Sequence, residues 1–288
     1  MGTHKENGQD DQFIEELWKR SGGENPLGEF DSFQAAYDAA VERGETGHHQ
    51  RASAIVTCID EGITPLIVQQ QLNLPEEPDI LRTAGSGILH GDITHILRPP
   101  QVQGMLAHDW CGAAGVYARE NNLTGNADDH GAQRIEQIAQ ATEVDYYGRI
   151  LPTARPREFH DARAVYYDGT RKGFEASRIS TLPKGFGVSR GFFGSQIGES
   201  DAALATFIAA SGNMRSPHFT PQSPFYLVAI SDDRPGSVPM EKLRDELSNI
   251  RKSAESMGFP TQIVTLDVSV TRGGTSTPSP IRRNPRAS

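Results

Sequence analysis

The chain has 288 residues, of which 36% are hydrophobic and 23% are charged, and it carries a formal net charge of −9. A chain of this length can bury a substantial core in one large domain or two modest ones. The acidic balance argues against nucleic-acid binding, which needs clustered Lys and Arg, and no apolar run reaches the roughly 18–20 residues of a membrane-spanning helix.

The first residues and the cysteine count indicate a compartment. The opening MGTHKENGQDDQ is polar and has no apolar signal-peptide stretch, so we expect a cytoplasmic protein. Cys58 and Cys111 are the only cysteines. In a reducing compartment such a pair serves more often as metal ligands, reactive groups or core residues than as a disulfide.

Two amphipathic helices are predicted before the first cysteine, in DDQFIEELWKRS and DSFQAAYDAAVERG. Asp31 or Ser32 can cap the second helix, and Gly44 can end it. SAIVTCID is a short β-branched run that predicts a buried strand, with Cys58 and Asp60 at its carboxyl end. Open α/β sheets bind their ligands at that end of the strands.

Further strands are predicted in DILRTAGSGIL and VQGMLAHDW, and further helices in CGAAGVYARENN and GAQRIEQIAQATE. ARAVYYDGTRKGFEA alternates and then turns at DGT, which predicts a strand leading into a hairpin. TLPKGFGVSRGFFGSQIGES and GNMRSPHFTPQSP are expected to form long ordered loops, and neither TAGSG nor GFGVSRGFFG has the pattern of a phosphate-binding loop. A helix in ESDAALATFIAA precedes a strand, helix, strand unit that ends in TQIVTLDV, and the sequence shows no internal repeat.

Three potential metal ligands lie at the predicted strand ends. Cys58, His108 and Cys111 offer thiolate and imidazole, the donors that zinc prefers, and Asp60 follows two residues after the first cysteine. Cys111 also stands where a strand gives way to a helix, whose amino terminus favours a thiolate. A lone buried cysteine or a lone His-x-x-Cys is common without metal. Because the two motifs together use both cysteines at strand ends, they favour a metal site.

These motifs resemble the signature of the β-class carbonic anhydrases, which reads C-x-D-x-R, then R-N-A-G, then H-x-x-C-G. Here CIDEG stands at 58–62, RTAG at 82–85 and HDWCGA at 108–113. AVYYDGTRKG resembles a late strand of the same family. The resemblance covers about residues 30–176. It implies an α/β fold with a mainly parallel β-sheet flanked by helices, to which residues 177–270 add a carboxyl-terminal α/β extension.

The resemblance also implies zinc as cofactor, bound by Cys58, His108 and Cys111. In the family, the Asp two residues after the first cysteine either pairs with the Arg two further on or coordinates zinc as a fourth ligand. Asp60 matches that Asp, but Gly62 stands in place of the Arg. A carboxylate without a guanidinium partner is expected to coordinate the metal unless another cation holds it.

Arg82 is the candidate for that other cation, so Asp60 and Arg82 are the predicted catalytic residues, and Asp60 is also a predicted fourth ligand. Glu61 is expected to point away from Asp60, as a salt-bridging or solvated residue. His90, His95 and the pair His48 and His49 are candidate proton acceptors, because histidine titrates near neutral pH.

The function implied is the reversible hydration of carbon dioxide to bicarbonate by zinc-bound hydroxide. Three alternatives stay open: hydrolysis of carbon disulfide or carbonyl sulfide at the same centre, a structural zinc in a binding or scaffold protein, and a Cys58–Cys111 redox pair without metal. The expected partner is a small-molecule substrate, with no nucleic acid and no membrane. The resemblance further implies a homodimer or higher homo-oligomer.

The predicted organisation has four parts. Residues 1–29 form a disordered start and an amino-terminal helix, and residues 30–176 form the zinc domain. Residues 177–270 form the α/β extension, and residues 271–288 form a disordered basic tail rich in Arg, Ser and Pro.

Overall fold

The computed structural model describes residues 7–91, 93–153, 160–211 and 218–269. This part of the chain forms an α/β fold with two four-stranded parallel sheets flanked by helices, so the predicted fold class is confirmed. None of its helices is long and apolar enough to cross a membrane. The predictions for residues 1–6 and for the basic tail 271–288 lie outside the described residues.

The helices are α1 Asn7–Arg20, α2 Phe33–Glu42, α3 Pro65–Leu72, α4 Gly112–Glu120, α5 Ala127–Thr142, α6 Arg190–Phe193, α7 Ser195–Ser211 and α8 Met240–Ser256. The strands are β1 Ala54–Thr57, β2 Ile80–Arg82, β3 Val102–His108, β4 Asp145–Ile150, β5 Ala164–Asp168, β6 Gly185–Val188, β7 Phe225–Ser231 and β8 Thr261–Asp267. Short 3-10 turns lie at Ala84–Gly87, Ile93–His95 and Ala176–Arg178.

The two sheets have the same topology. Their strand orders are β2-β1-β3-β4 and β6-β5-β7-β8, and each described strand pair is parallel. In the first half, β3 is followed by α4 and α5 and then by β4. In the second half, β7 is followed by α8 and then by β8. The second half of the chain therefore repeats the architecture of the first, although the sequence showed no repeat.

Two local predictions are wrong. The strand β5 does not enter a hairpin, because it pairs in parallel with β6 and β7. The stretch predicted as a glycine-rich loop contains β6 and α6.

The predicted domain boundary at residue 176 falls after β5, whose two partner strands both lie beyond it.

One hydrophobic core connects the two halves. The four residues of β1 are all buried, as expected for a parallel strand covered on both faces. The largest core cluster contains Val56 and Leu81 from the first sheet together with Val165 and Phe186 from the second. Separating the halves would expose this shared apolar surface, at a cost of roughly 25 cal/mol for each Å².

The edge strands β2 and β6 approach each other at a buried ion pair. Arg82 Nε donates to Glu175 Oε2 at 2.7 Å and Nη2 donates to Oε1 at 3.1 Å. Ser189 N donates to the Arg82 carbonyl at 3.0 Å, and Arg82 N donates to Ser189 Oγ at 2.9 Å. Burial would raise the pKa of Glu175, but the Arg82 charge and its hydrogen bonds hold that pKa below its ordinary value.

We expect Glu175→Ala to lower the free energy of unfolding by about 3–5 kcal/mol, because it leaves the Arg82 guanidinium buried without a counter-charge. Since the pKa of Glu175 is depressed in the fold, this stabilisation is present above its ordinary value of 4.5 and is lost as the pH falls. Denaturant unfolding at neutral pH measures the effect. The control is Glu77→Ala, which removes a half-exposed partner of Arg178 and should cost less than about 1 kcal/mol. Equal losses in both variants would contradict the role of the buried pair.

Candidate metal centre

The three predicted ligands meet at the carboxyl edge of the first sheet. Cys58 follows β1, His108 ends the neighbouring strand β3, and Cys111 immediately precedes α4. Their ligand atoms all lie within 4.8 Å of one another. The three residues are only 3–8% exposed. The centre is therefore enclosed by protein.

The donor atoms fit a metal ion. His108 Nδ1 lies 2.8 Å from the carbonyl oxygen of Asp109, a contact that orients the ring. His108 Nε2 is buried and has no hydrogen-bond partner among the described residues. A polar atom of this kind is costly unless something binds it. Two sulfur ligands of a tetrahedral zinc lie about 3.8 Å apart, so the cluster has suitable dimensions.

The cluster holds charge even without metal. A hydrogen bond from Cys111 lowers the pKa of Cys58 well below its ordinary value, against the effect of burial, and the same bond raises the pKa of Cys111. Burial would lower the pKa of His108, but the negative charge of Cys58 raises it to about 9. Gly85 N donates to Cys58 Sγ at 3.2 Å and supports the thiolate. Metal binding must therefore displace protons from Cys111 and His108.

The backbone around the ligands is held from outside the cluster. Trp110 N and Cys111 N donate to the two carboxylate oxygens of Asp128, at 2.9 and 3.1 Å. These bonds hold the Trp110 backbone at a φ of +62°, a value that residues other than glycine rarely adopt. Gly85 has a φ of +55°, and a Cβ there would lie 2.9 Å from Ala113 Cβ. Glycine therefore lets the Gly85 N–H approach the first ligand.

Asp60 is buried beside the cluster but does not belong to the three-ligand group. Its Oδ1 accepts a hydrogen bond from Gly62 N at 2.8 Å. Carboxylate oxygens of Asp60 and Glu61 and a ring nitrogen of His160 instead lie within 4.8 Å of one another. His160 Nδ1 is 3.0 Å from each carboxylate oxygen of Glu61. The negative charge of Asp60 still acts on the cluster and raises the pKa of His108.

The prediction that Glu61 points away from Asp60 is wrong, whereas its predicted salt-bridging contact is present, with His160. Glu61 is buried, and its carboxylate lies on the same side as that of Asp60. Strand alternation does not reach this residue, because β1 ends at Thr57 and the chain then turns. His160 was missed by the sequence analysis. It lies 99 residues from Glu61 and carries no local spacing typical of a metal site.

Arg82 fixes the turn that carries Cys58 and Asp60. Its Nη1 donates to the backbone carbonyls of Asp60 at 3.0 Å and Cys58 at 3.4 Å, and its Nη2 donates to the carbonyl of Ile63. The carboxylate that it binds is that of Glu175. Arg82 therefore contacts Asp60 through the backbone, which is a positioning contact.

Gly62, which stands where the β-class carbonic anhydrase motif has arginine, has almost no space beside it. A Cβ there would lie 3.0 Å from Pro152 Cβ, 3.1 Å from Asp60 Oδ1 and 3.2 Å from Thr153 N. Thr153 N also donates to the Gly62 carbonyl at 2.9 Å. The Pro152–Thr153 backbone thus passes where a side chain at position 62 would begin.

The histidines proposed as proton acceptors lie in other settings. His90 Nε2 is 2.8 Å from Asp201 Oδ1, and His48 Nε2 is 2.7 Å from the Val268 carbonyl. His49 is buried, and burial lowers its pKa, whereas His95 is exposed. In the described parts of the chain, none of the four belongs to a group of clustered metal-ligating residues.

Little space adjoins the cluster. A cavity of about 10 Å³ touches His108 and Cys111 and is otherwise lined by the start of α5 and the turn around Gly85. It has room for roughly one water molecule. A larger pocket of about 230 Å³ adjoins Glu61 and Arg82 and is lined on its other side by the second half of the chain.

We expect substitution of the candidate ligands to lower the zinc content of the protein and substitution of Asp60 to leave it unchanged. Wild-type protein and Asp60→Asn should each retain near one zinc ion per chain after dialysis against zinc-free buffer. Cys111→Ser and His108→Asn should lose most of it, because each removes a donor of the three-ligand group. Elemental analysis reports the content. Loss of zinc from Asp60→Asn would show that Asp60 is itself a necessary ligand.

We expect Gly62→Ala to lower the free energy of unfolding by about 1–3 kcal/mol, because its methyl group crowds Pro152 and Thr153. Denaturant unfolding measures it. Gly115→Ala is the matched control, since Gly115 lies on α4 with nothing within 4 Å of an added Cβ. That variant should be neutral or stabilising by up to about 1 kcal/mol. If Gly62→Ala does not lower the free energy of unfolding, the Pro152–Thr153 backbone can move to accommodate the methyl group.

Comparisons of the chain with protein-family models, with curated proteins and with solved structures found no match. The residues and their geometry show a buried Cys-His-Cys group that can bind a metal ion, in a parallel α/β fold compatible with a centre like that of the β-class carbonic anhydrases.

Proposed function

We propose that the protein is a zinc-dependent hydratase of carbon dioxide, similar to the β-class carbonic anhydrases. The observation that carries the proposal is the buried group of Cys58, His108 and Cys111, in which His108 Nε2 has no hydrogen-bond partner among the described residues. A zinc ion bound there would act as a Lewis acid that activates water at neutral pH for attack on a small electrophile.

The residues divide this work among them. The two cysteines and His108 would hold the ion, and a set of three protein ligands is typical of catalytic zinc. Asp60 lies outside that set and is oriented by the Gly62 N–H, so its carboxylate can accept a hydrogen bond from a molecule at the centre. Arg82 keeps the backbone of this turn in place.

The cavity of about 10 Å³ beside His108 and Cys111 holds roughly one water molecule, the species that a bound zinc ion would activate. A substrate molecule would need further space at the centre. Carbonyl sulfide and carbon disulfide are linear molecules similar in shape to carbon dioxide. Those two stay alternative substrates for the same chemistry. A homodimer or higher oligomer, implied by the resemblance, belongs to the same proposal.

The second candidate is a structural zinc in a binding or scaffold protein. Enclosure of all three ligands, each at most 8% exposed, favours this function, as does Gly62 in place of the arginine. Structural zinc contributes directly to folding stability. In that case Cys111→Ser would chiefly lower the melting temperature, with no activity to lose.

The deciding experiment measures zinc content and stopped-flow carbon dioxide hydration on one sample, from about pH 6.5 to about pH 9. We expect near one zinc ion per chain and a rate that rises with pH, because deprotonation of the activated water generates the nucleophile. Asp60→Asn should keep zinc and lose most of the activity. Asp245→Asn, an exposed carboxylate on α8, is the control and should match the wild type.

Three other results are informative. One zinc ion with no hydration at any pH favours the structural role, unless carbonyl sulfide or carbon disulfide is consumed in the parallel assay. A fully active Asp60→Asn would remove that residue from the catalytic set. Absence of zinc together with a Cys58–Cys111 disulfide would instead favour the redox pair.

A further inference from the structure

We propose that a second pocket, beside the carboxyl end of β5, binds a small anion that carries a phosphate or carboxylate group. This pocket has a volume of about 430 Å³, within the usual range for small-molecule sites. It lies between the segment that leads into β1, residues 49–54, and the loop that follows β5, residues 168–173. None of the three metal ligands lines it, so the inference is independent of the proposed hydratase.

The pocket is lined by three cationic side chains, in a chain whose net charge is −9. Arg51 pairs with Glu76. Among the described residues, the Arg171 guanidinium makes one hydrogen bond, to the Pro235 carbonyl, and Lys172 makes no hydrogen bond or ion pair. Two of the cations therefore have no carboxylate partner in the described part of the chain. Guanidinium and ammonium groups in this state attract oxyanions.

The loop that carries two of these cations is fixed in advance. Asp168 Oδ1 accepts from Thr170 N at 2.8 Å and from Thr170 Oγ1 at 2.7 Å, and Asp168 Oδ2 accepts from Phe174 N at 2.8 Å. Thr170 Oγ1 in turn accepts from Gly173 N at 3.1 Å. A loop held at both ends loses little freedom when a ligand binds, so more of the electrostatic attraction appears as affinity.

Asp168 itself lines the pocket, and its negative charge would oppose an anion. Its two oxygens already accept three hydrogen bonds from the loop. Burial raises its pKa to about 7, against the effect of those hydrogen bonds. Because Arg51 is paired with Glu76, the charge balance of the pocket is between two cations, Arg171 and Lys172, and the single Asp168 carboxylate, and it stays positive.

A buried polar group completes the lining. His49 is 8% exposed, and its Nε2 is buried with no hydrogen-bond partner among the described residues. The Ser189 hydroxyl, which accepts from Arg82 N, lines the same pocket and can still donate its proton. An imidazole N–H and a hydroxyl are both suitable donors for an oxyanion. An unpartnered buried atom beside a roomy polar pocket points to a bound species.

The test is calorimetric titration of the full chain with inorganic phosphate, at constant ionic strength and neutral pH. We expect one saturable site per chain. Lys172→Ala and Arg171→Ala should each weaken binding by about tenfold, because each removes a charge-assisted contact. Both residues are exposed on a surface loop, so the variants should fold. Lys252→Ala removes an exposed cation from α8 and should bind phosphate as the wild type does.

A parallel titration with acetate distinguishes the two anion classes. Phosphate binding at least about tenfold tighter than acetate would assign the site to phosphorylated ligands, and similar affinities would assign it to carboxylates. Both results support the proposal. Absence of saturable binding by either anion would overturn it. Equal affinities of Lys172→Ala and Lys252→Ala for phosphate would also overturn it, because phosphate would then bind outside this pocket, for example at the candidate metal centre.

Discussion

The buried guanidinium of Arg82 is the interaction on which the arrangement of the candidate metal centre depends. It binds the carbonyls of Cys58, Asp60 and Ile63, and it is neutralised by Glu175 from beyond β5. A charge buried this deeply is tolerated only with a partner and with its donors satisfied. The turn that presents the first metal ligand is therefore shaped jointly by both halves. Glu175 belongs to the predicted zinc domain, and the predicted extension adds Ser189, which bonds to the Arg82 backbone, and Gly187, whose N–H donates to the Ile59 carbonyl.

The sequence could predict the buried Cys-His-Cys group because each of its residues carries a local signal. A β-branched run ends at Cys58, and a His-x-x-Cys spans the passage from β3 into α4. Parallel neighbouring strands bring their carboxyl ends to the same edge, so local signals become a spatial cluster. His160 had no such signal, since its contact with Glu61 spans 99 residues and depends on the fold as a whole.

The repeated topology and the false hairpin also have physical explanations. Parallel α/β units require only buried apolar strands and covering helices, and many unrelated sequences satisfy that pattern. Two halves can thus share a strand order without sharing a motif. The apparent turn at DGT reflects the Asp168 carboxylate, which binds the N–H groups of Thr170 and Phe174. Side-chain to backbone bonds of this kind imitate turn chemistry in a loop that joins parallel strands.

Gly62 shows how the site departs from the family that it resembles. A side chain there would crowd Pro152, Thr153 and Asp60, so restoring an arginine would require the 152–153 backbone to move. Asp60 instead shares its surroundings with Glu61 and His160, a second group of ionisable side chains directly beside the ligands. The electrostatic field that Asp60, Glu61 and His160 produce at the ligands is set by the fold around residues 60–62 and 160. The chemistry of the centre consequently depends on a neighbourhood that the Cys-His-Cys motif does not encode.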